Sequence, residues 1–260
     1  MQDFNIHTHT RRCHHAVGYD EQYILAAIDA GMKVIGFSEH MPYPNVEIES
    51  DRMFNADVEE YLETMRKLKE KYKDKIKILV GFEIEYYDDQ EEYLFEMKKK
   101  CDYFIIGQHF KYFDGYNYDH FNNDEDVLMY AHQIEKALDK GLVKYVAHPD
   151  YFMLGRRTFS LACKQAAHII CQAVKRNNGV LEVNLNGLRY GKLYYSTGKA
   201  YAYPTRNFFK IISEYGLKVC YGFDAHHPAT LLENKRMIEC NKILKNIELN
   251  YVNNFEELPL

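Results

Sequence analysis

No apolar run in this 260-residue chain approaches the roughly 20 residues that a membrane-spanning helix needs, so no membrane partner is expected. The six cysteines (Cys13, Cys101, Cys163, Cys171, Cys220, Cys240) show no Cys-x-x-Cys spacing, and no leading segment has a charged-then-apolar signal layout. Reduced thiols and a cytoplasmic location are the expectation. A basic excess is missing too. The formal net charge is −5, and no basic groove interleaved with aromatics is visible, which argues against long nucleic acids as partners. Low-complexity tracts, Pro/Gly/Ser linkers and solenoid-period repeats are absent, so a single domain over 1–260 is expected.

Hydrophobic residues make up 47% of the chain and charged ones 27%, the balance of a globular protein with a large core. Short apolar runs alternate with helical periods. The first strand ends at His7. Asp20 can cap a helix with apolar Tyr23, Ile24, Ala27 and Ile28, stopped at Gly31. Lys33 to Phe37 is the second strand, and Pro42 and Pro44 enforce a loop after it. The third strand is Ile76 to Phe82, the fourth Tyr103 to Gly107, the fifth Val143 to Ala147, the sixth Val180 to Val183 and the seventh Leu217 to Phe223. Helices fall between them, through Val58 to Tyr72, Glu91 to Lys100, Val127 to Leu138, Ala162 to Ala173 and Pro204 to Tyr215, with a closing helix from Leu231 to Leu244. A polar loop from Lys111 to Asp124 has the length of a lid or binding loop. Continuous apolar strands separated by helices predict a parallel sheet covered on both faces. The expected fold is α/β, a closed or nearly closed (β/α)7 barrel.

The strand ends carry the chemistry. His7 and His9 close the first strand, where residues two apart share a face, and His15 follows in the next loop. His40 ends the second strand, Glu83 the third, His109 the fourth and His148 the fifth, while Asp224 and His226 end the seventh. Parallel barrel strands bring all these ends to one mouth. Imidazoles with carboxylates favour zinc, with iron or manganese as alternatives. Nine side chains exceed one tetrahedral set, so two or three ions are expected, with Glu83 able to bridge. Clustered ions holding a hydroxide suit in-line displacement at phosphorus, and their positive charge suits a phosphate dianion. Arg156, Arg157 and Arg189, near the ends of the fifth and sixth strands, are candidate phosphoryl contacts. His14 and His227 each adjoin a ligand and could face substrate. Asp150 and Glu39 could orient imidazoles or cap helices. Asp224 and Glu83 are the candidate catalytic carboxylates, Asp224 for acid–base work.

Taken in order, His7-x-His9, Cys13-His14-His15-Ala16-x-Gly18, Phe37-Ser38-Glu39-His40, Gly81-Phe82-Glu83-Ile84-Glu85-Tyr86, Gly107-Gln108-His109, His148-Pro149-Asp150 and Asp224-Ala225-His226 resemble the polymerase-and-histidinol-phosphatase (PHP) superfamily. Within it, the series is similar to the bacterial L-histidinol-phosphate phosphatases. The resemblance implies a distorted seven-stranded barrel and a trinuclear centre. One ion would take His7, His9, Glu83 and Asp224, a second Glu83, His109 and His148, and a third His15, His40 and His226. It favours His15 over His14, and implies hydrolysis of L-histidinol phosphate, a small phosphate monoester. A relative acting on another phosphoester and a silent metal-binding module are the competing readings.

Overall fold

The computed structural model describes residues 2–44, 46, 51–112 and 117–260. Parts of two expected loops, 45 and 47–50 after the prolines and 113–116 within the Lys111–Asp124 stretch, lie outside the described residues. One parallel sheet carries β1 (Phe4–Asn5), β2 (Val34–His40), β3 (Lys77–Ile84), β4 (Tyr103–Ile106), β5 (Tyr145–Val146) and β6 (Val180–Asn184) in that order. An antiparallel hairpin of β7 (Lys192–Tyr195) and β8 (Gly198–Tyr201) stands apart. β9 (Lys218–Gly222) then pairs with β6, and β10 (Asn250–Tyr251) pairs with β9. The seven expected strands are present, and β10 extends the parallel sheet to eight.

The sheet curls until its ends meet. Thr8 bridges Ala225 in parallel, with His9 N–H donating to Ala225 O at 2.9 Å and Ala225 N–H to His7 O at 3.1 Å. At the opposite end β10 wedges in, and Asp3 N–H reaches Asn253 O at 2.9 Å. The result is a distorted (β/α) barrel with its mouth at the C-terminal strand ends. Its helices are α1 (Asp20–Asp29), α2 (Val58–Tyr72), α3 (Glu91–Lys98), α4 (Asp124–Asp139), α5 (Leu161–Arg176), α6 (Arg206–Tyr215) and α7 (Lys235–Ile243). Side-chain caps fix several starts, such as Asn123 accepting from Asp126 N–H and Ser160 from Cys163 N–H. The expected closing helix divides into a 3-10 turn (Pro228–Leu232) and α7, because Pro228 takes the first turn and the chain extends at Glu233. Among the described residues no helix is long and apolar enough to cross a membrane.

Inside the barrel the two-residue period of a strand sorts the floor from the mouth. Phe4, Val34, Leu79, Ile105, Tyr145, Val180 and Cys220 form an apolar floor. Two or four residues further along the same faces stand Glu83, Glu182, Asn184 and Asp224, all buried. Apolar residues on the outward faces pack under the helices as a second, larger core.

Candidate metal centre

The expected ligands converge. His7 Nε2 lies 3.1 Å from His9 Nε2 and 3.5 Å from both Glu83 Oε1 and Asp224 Oδ1. His9 Nε2 is 3.3 Å from Glu83 Oε2 and 3.5 Å from Asp224 Oδ1. Four donors about a zinc ion with bonds of 2.0–2.1 Å are separated by about 3.4 Å, so these spacings are those of one coordination shell. Glu83 Oε1 also approaches His148 Nε2 at 2.7 Å and His109 Nε2 at 3.7 Å, which makes Glu83 common to a second set. His15, His40 and His226 form a third, with His15 Nε2 2.9 Å from His226 Nε2. All nine expected ligands therefore meet at the mouth.

Hydrogen bonding fixes which nitrogens face inward. His15 Nδ1 donates to Cys13 O at 2.8 Å, and His226 Nδ1 donates to Asp224 O at 2.9 Å. A carbonyl can only accept, so each Nδ1 carries a proton and the two Nε2 atoms face each other with lone pairs. A shared proton or a cation holds such a contact. Burial, reinforced by His40 and His226, pushes His15 down to about 4, which disfavours the proton. His40 Nδ1 and Glu83 Oε2 are 3.1 Å apart, yet neither makes a directed hydrogen bond. Buried polar groups rarely stay unbonded, and here both aim at the same space. The donor chemistry thus fits bound divalent cations.

The surrounding field agrees. Burial works against charge on His7, but Glu182, Asp224 and Glu83 outweigh it and hold the ring well above its ordinary value. Burial would raise Glu83 and Asp224, yet the neighbouring imidazoles keep both carboxylates well below theirs. Three buried carboxylates demand positive charge at this point, which a divalent cation would supply. Two of the expected ligands also occupy unfavourable backbone: His148 has φ of 26° and Asp224 of 46°. Such conformations cost about 1–3 kcal/mol each and persist where the surroundings fix them, as at a functional site.

The other candidates are distributed unevenly. Arg189 is exposed at the rim, stacked over Tyr190 at 4.8 Å, with Asp224 and Tyr203 within electrostatic reach. The bonds of Arg156 run to Asn122 O, Asp124 and Ser160, tying the polar loop to the start of α5. Arg157 bonds Leu154 O and Arg156 O. Neither makes a contact with the histidine cluster among the described residues. His14, at φ of 62°, packs its ring 5.3 Å from Phe54. His227 accepts from Ala229 N–H. Glu39 accepts the Thr10 N–H at 2.8 Å, and Asp150 accepts from Thr205 N–H, so both brace backbone.

Three contributors were not anticipated. Glu182 lies mid-strand on β6, away from the strand ends that carry the expected ligands, and accepts from His7 Nδ1 at 2.7 Å. Glu85 lies 3.3 Å from His109 Nδ1 and is clamped by Arg52, which is fully buried. Tyr151 places its ring 5.0 Å from His109 and 5.1 Å from His148. A polar residue inside an apolar strand run was the available signal for Glu182. Arg52 and Tyr151 carried none.

A parallel barrel with fused histidine and carboxylate sets at its C-terminal mouth defines a metal-binding enzyme of the barrel hydrolase class. The chain belongs to the PHP domain family, which matches residues 5–186. A Deinococcus radiodurans protein named "Probable histidinol-phosphatase" is 25% identical over 236 residues, covering 85% of each chain. The Bacillus subtilis protein named "Histidinol-phosphatase" is 30% identical over 98 residues, 35% of this chain and 37% of that one. The barrel of histidinol phosphate phosphatase from Lactococcus lactis, solved with zinc, L-histidinol and phosphate, superposes with a TM-score of 0.70. It is 16% identical and covers 96% of this chain and 95% of its own.

Proposed function

We propose that this chain hydrolyses L-histidinol phosphate to L-histidinol and phosphate, using three divalent ions, zinc foremost. The observation that carries the reading is Glu83, whose two oxygens lie within 3.7 Å of nitrogens of His7, His9, His40, His109 and His148. One carboxylate common to adjacent donor sets could serve two neighbouring ions, a grouping that suits phosphoryl transfer. Bound there, the ions supply Lewis-acid polarisation and positive charge at phosphorus. His7, His9, Glu83 and Asp224 would hold one ion, Glu83, His109 and His148 a second, and His15, His40 and His226 a third.

The chain's own residues supply the rest. Arg189 at the rim offers a guanidinium fork to phosphoryl oxygens. Asp224, kept ionised, takes a proton from the attacking water and passes one to the departing alkoxide as the ester P–O bond breaks. Tyr151 and Tyr203, 5.8 Å apart, wall the mouth and limit water there. The substrate comes from what the relatives are called and what the Lactococcus enzyme holds.

The test is a phosphatase screen of the metal-loaded protein over phosphate monoesters, with elemental analysis of the same sample. The expected result is a clear kcat/KM preference for L-histidinol phosphate and three equivalents of metal. A flat profile or a preference for nucleotides overturns the substrate. One equivalent or none overturns the centre.

A further inference from the structure

Glu182 is fully buried, and both of its carboxylate oxygens are hydrogen-bonded. Oε2 accepts from His7 Nδ1 at 2.7 Å and from the Tyr145 hydroxyl at 2.8 Å, and Oε1 accepts from the Asn184 side-chain amide. The same Asn184 amide nitrogen donates to Asp224 Oδ2 at 3.1 Å. Its carbonyl oxygen accepts from Asn186 N–H at 2.8 Å and Gly187 N–H at 2.9 Å, in the turn that leads to Arg189. Glu182 and Asn184 are two apart on one strand and so share its inward face. The neighbouring strand leaves room for them, since a Cβ at Gly222 would fall 2.2 Å from Glu182 Cδ. A carboxylate sealed in a barrel is costly unless it is fully bonded, and this one spends its bonds on a metal ligand and on a partner of a second ligand.

We infer that Glu182 and Asn184 act together as a positioning pair for the metal centre. Glu182 fixes the His7 tautomer that turns Nε2 toward the ions, and its charge makes that nitrogen a stronger donor. Asn184 locks Asp224, the other first-set ligand, to the same carboxylate and extends the constraint to the Asn186–Arg189 turn. Each acts through another side chain, Glu182 through His7 and Asn184 through Asp224. The inference rests on reading the mouth as a multi-ion centre. A purely architectural pair would stiffen the barrel without discriminating between ions, and that difference can be measured.

Metal-free protein is titrated with cobalt(II) under chelator competition, and binding is followed by the visible absorption of each ion. His7→Ala first identifies which equivalent depends on His7. Glu182→Gln keeps the shape and a carbonyl acceptor but removes the charge. It should weaken that same equivalent by about 10- to 100-fold and shift its absorption band, leaving the others at wild-type affinity. Tyr145→Phe removes a hydrogen bond from the same carboxylate while keeping its charge, and should perturb binding less than Glu182→Gln. If Glu182→Gln does not fold, Asn184→Ala, judged folded by circular dichroism, carries the same expectation. Wild-type affinity in the variant, equal weakening of every equivalent, or equal effects of Glu182→Gln and Tyr145→Phe would each overturn the pair. Fewer than three equivalents in the wild type counts against the three-ion reading alone, because the comparison is made on the His7-dependent ion.

Discussion

Gly107 offers the sharpest perturbation of the centre from outside it. A Cβ at this position would lie 1.8 Å from Glu83 Oε1, 2.5 Å from Cδ and 2.8 Å from Cγ. Its φ is not in the left-handed region, so alanine can adopt the backbone and keep the Gly107 N–H bond to Ile84 O. The conflict is with the carboxylate. Contacts of Cβ atoms below 3.0 Å are essentially never seen, so Glu83 Oε1 must retreat by about 1.2 Å, the gap between 1.8 and 3.0 Å. Metal sites tolerate about 0.2 Å of error in a ligand distance, so Gly107→Ala should remove Glu83 from both of its sets. A misplacement of about 1 Å costs on the order of 100-fold in rate, which corresponds to about 2.7 kcal/mol. The expected variant is folded, deficient in metal by elemental analysis, and about 100-fold lower in kcat/KM. Gly141→Ala is the control, because its Cβ meets nothing within 4 Å while its φ of +68° strains alanine. It should lose about 1 kcal/mol of stability and keep full metal content and activity. A folded Gly107→Ala enzyme with wild-type metal content and kcat/KM would refute the account of Glu83 as the shared ligand.

Other outcomes can be read independently. Arg52→Met leaves Glu85 buried without its counter-charge and should cost about 3–5 kcal/mol in urea unfolding, whereas a change within about 0.5 kcal/mol would show that the pair is not holding charge. Arg189→Ala should raise KM for the phosphate ester about tenfold, and an unchanged kcat/KM removes this arginine from the site. Asp139 is held below its ordinary 3.8 by the Arg176 hydrogen bond, so its stabilisation is complete above that value and fades as pH falls through the lower folded one. The Tm difference between wild type and Asp139→Asn should therefore shrink below about pH 4, and a gap constant to pH 2 contradicts an ionic pair.

Much of the centre was legible because barrel strands read as apolar runs and their ends as interruptions. His40 ends β2 as expected, and Glu83 stands one residue before the end of β3, so both kept their place although the strand limits moved. What escaped was held by tertiary partners. Glu182 sits within Val180–Asn184, a run that reads as floor, and its purpose depends on His7 from the far end of the sequence. Arg52 follows the prolines in a loop, with nothing local to mark it as buried against Glu85. The β7–β8 hairpin and β10 are short and partly exposed, so neither had the apolar pattern of a barrel strand. Arg156 and Arg157 drew attention by charge and nearness to a strand end, but their hydrogen bonds serve the loop and the turn beside it.

The parallel bridge between Thr8 and Ala225 that shuts the barrel also sets a timetable. His7 and His9 are made first, while Asp224 and His226 leave the ribosome after more than two hundred further residues. Until β9 docks, the emerging chain can offer only an open arc of ligands. Closing so long a loop is the slow, entropically costly step of a fold rich in distant contacts. A cation that binds the finished shell rewards that closure and acts as a latch on the two ends of the sheet. Refolding with metal present should therefore chiefly slow the reopening of the seam, while the rate at which the seam first forms stays with the chain.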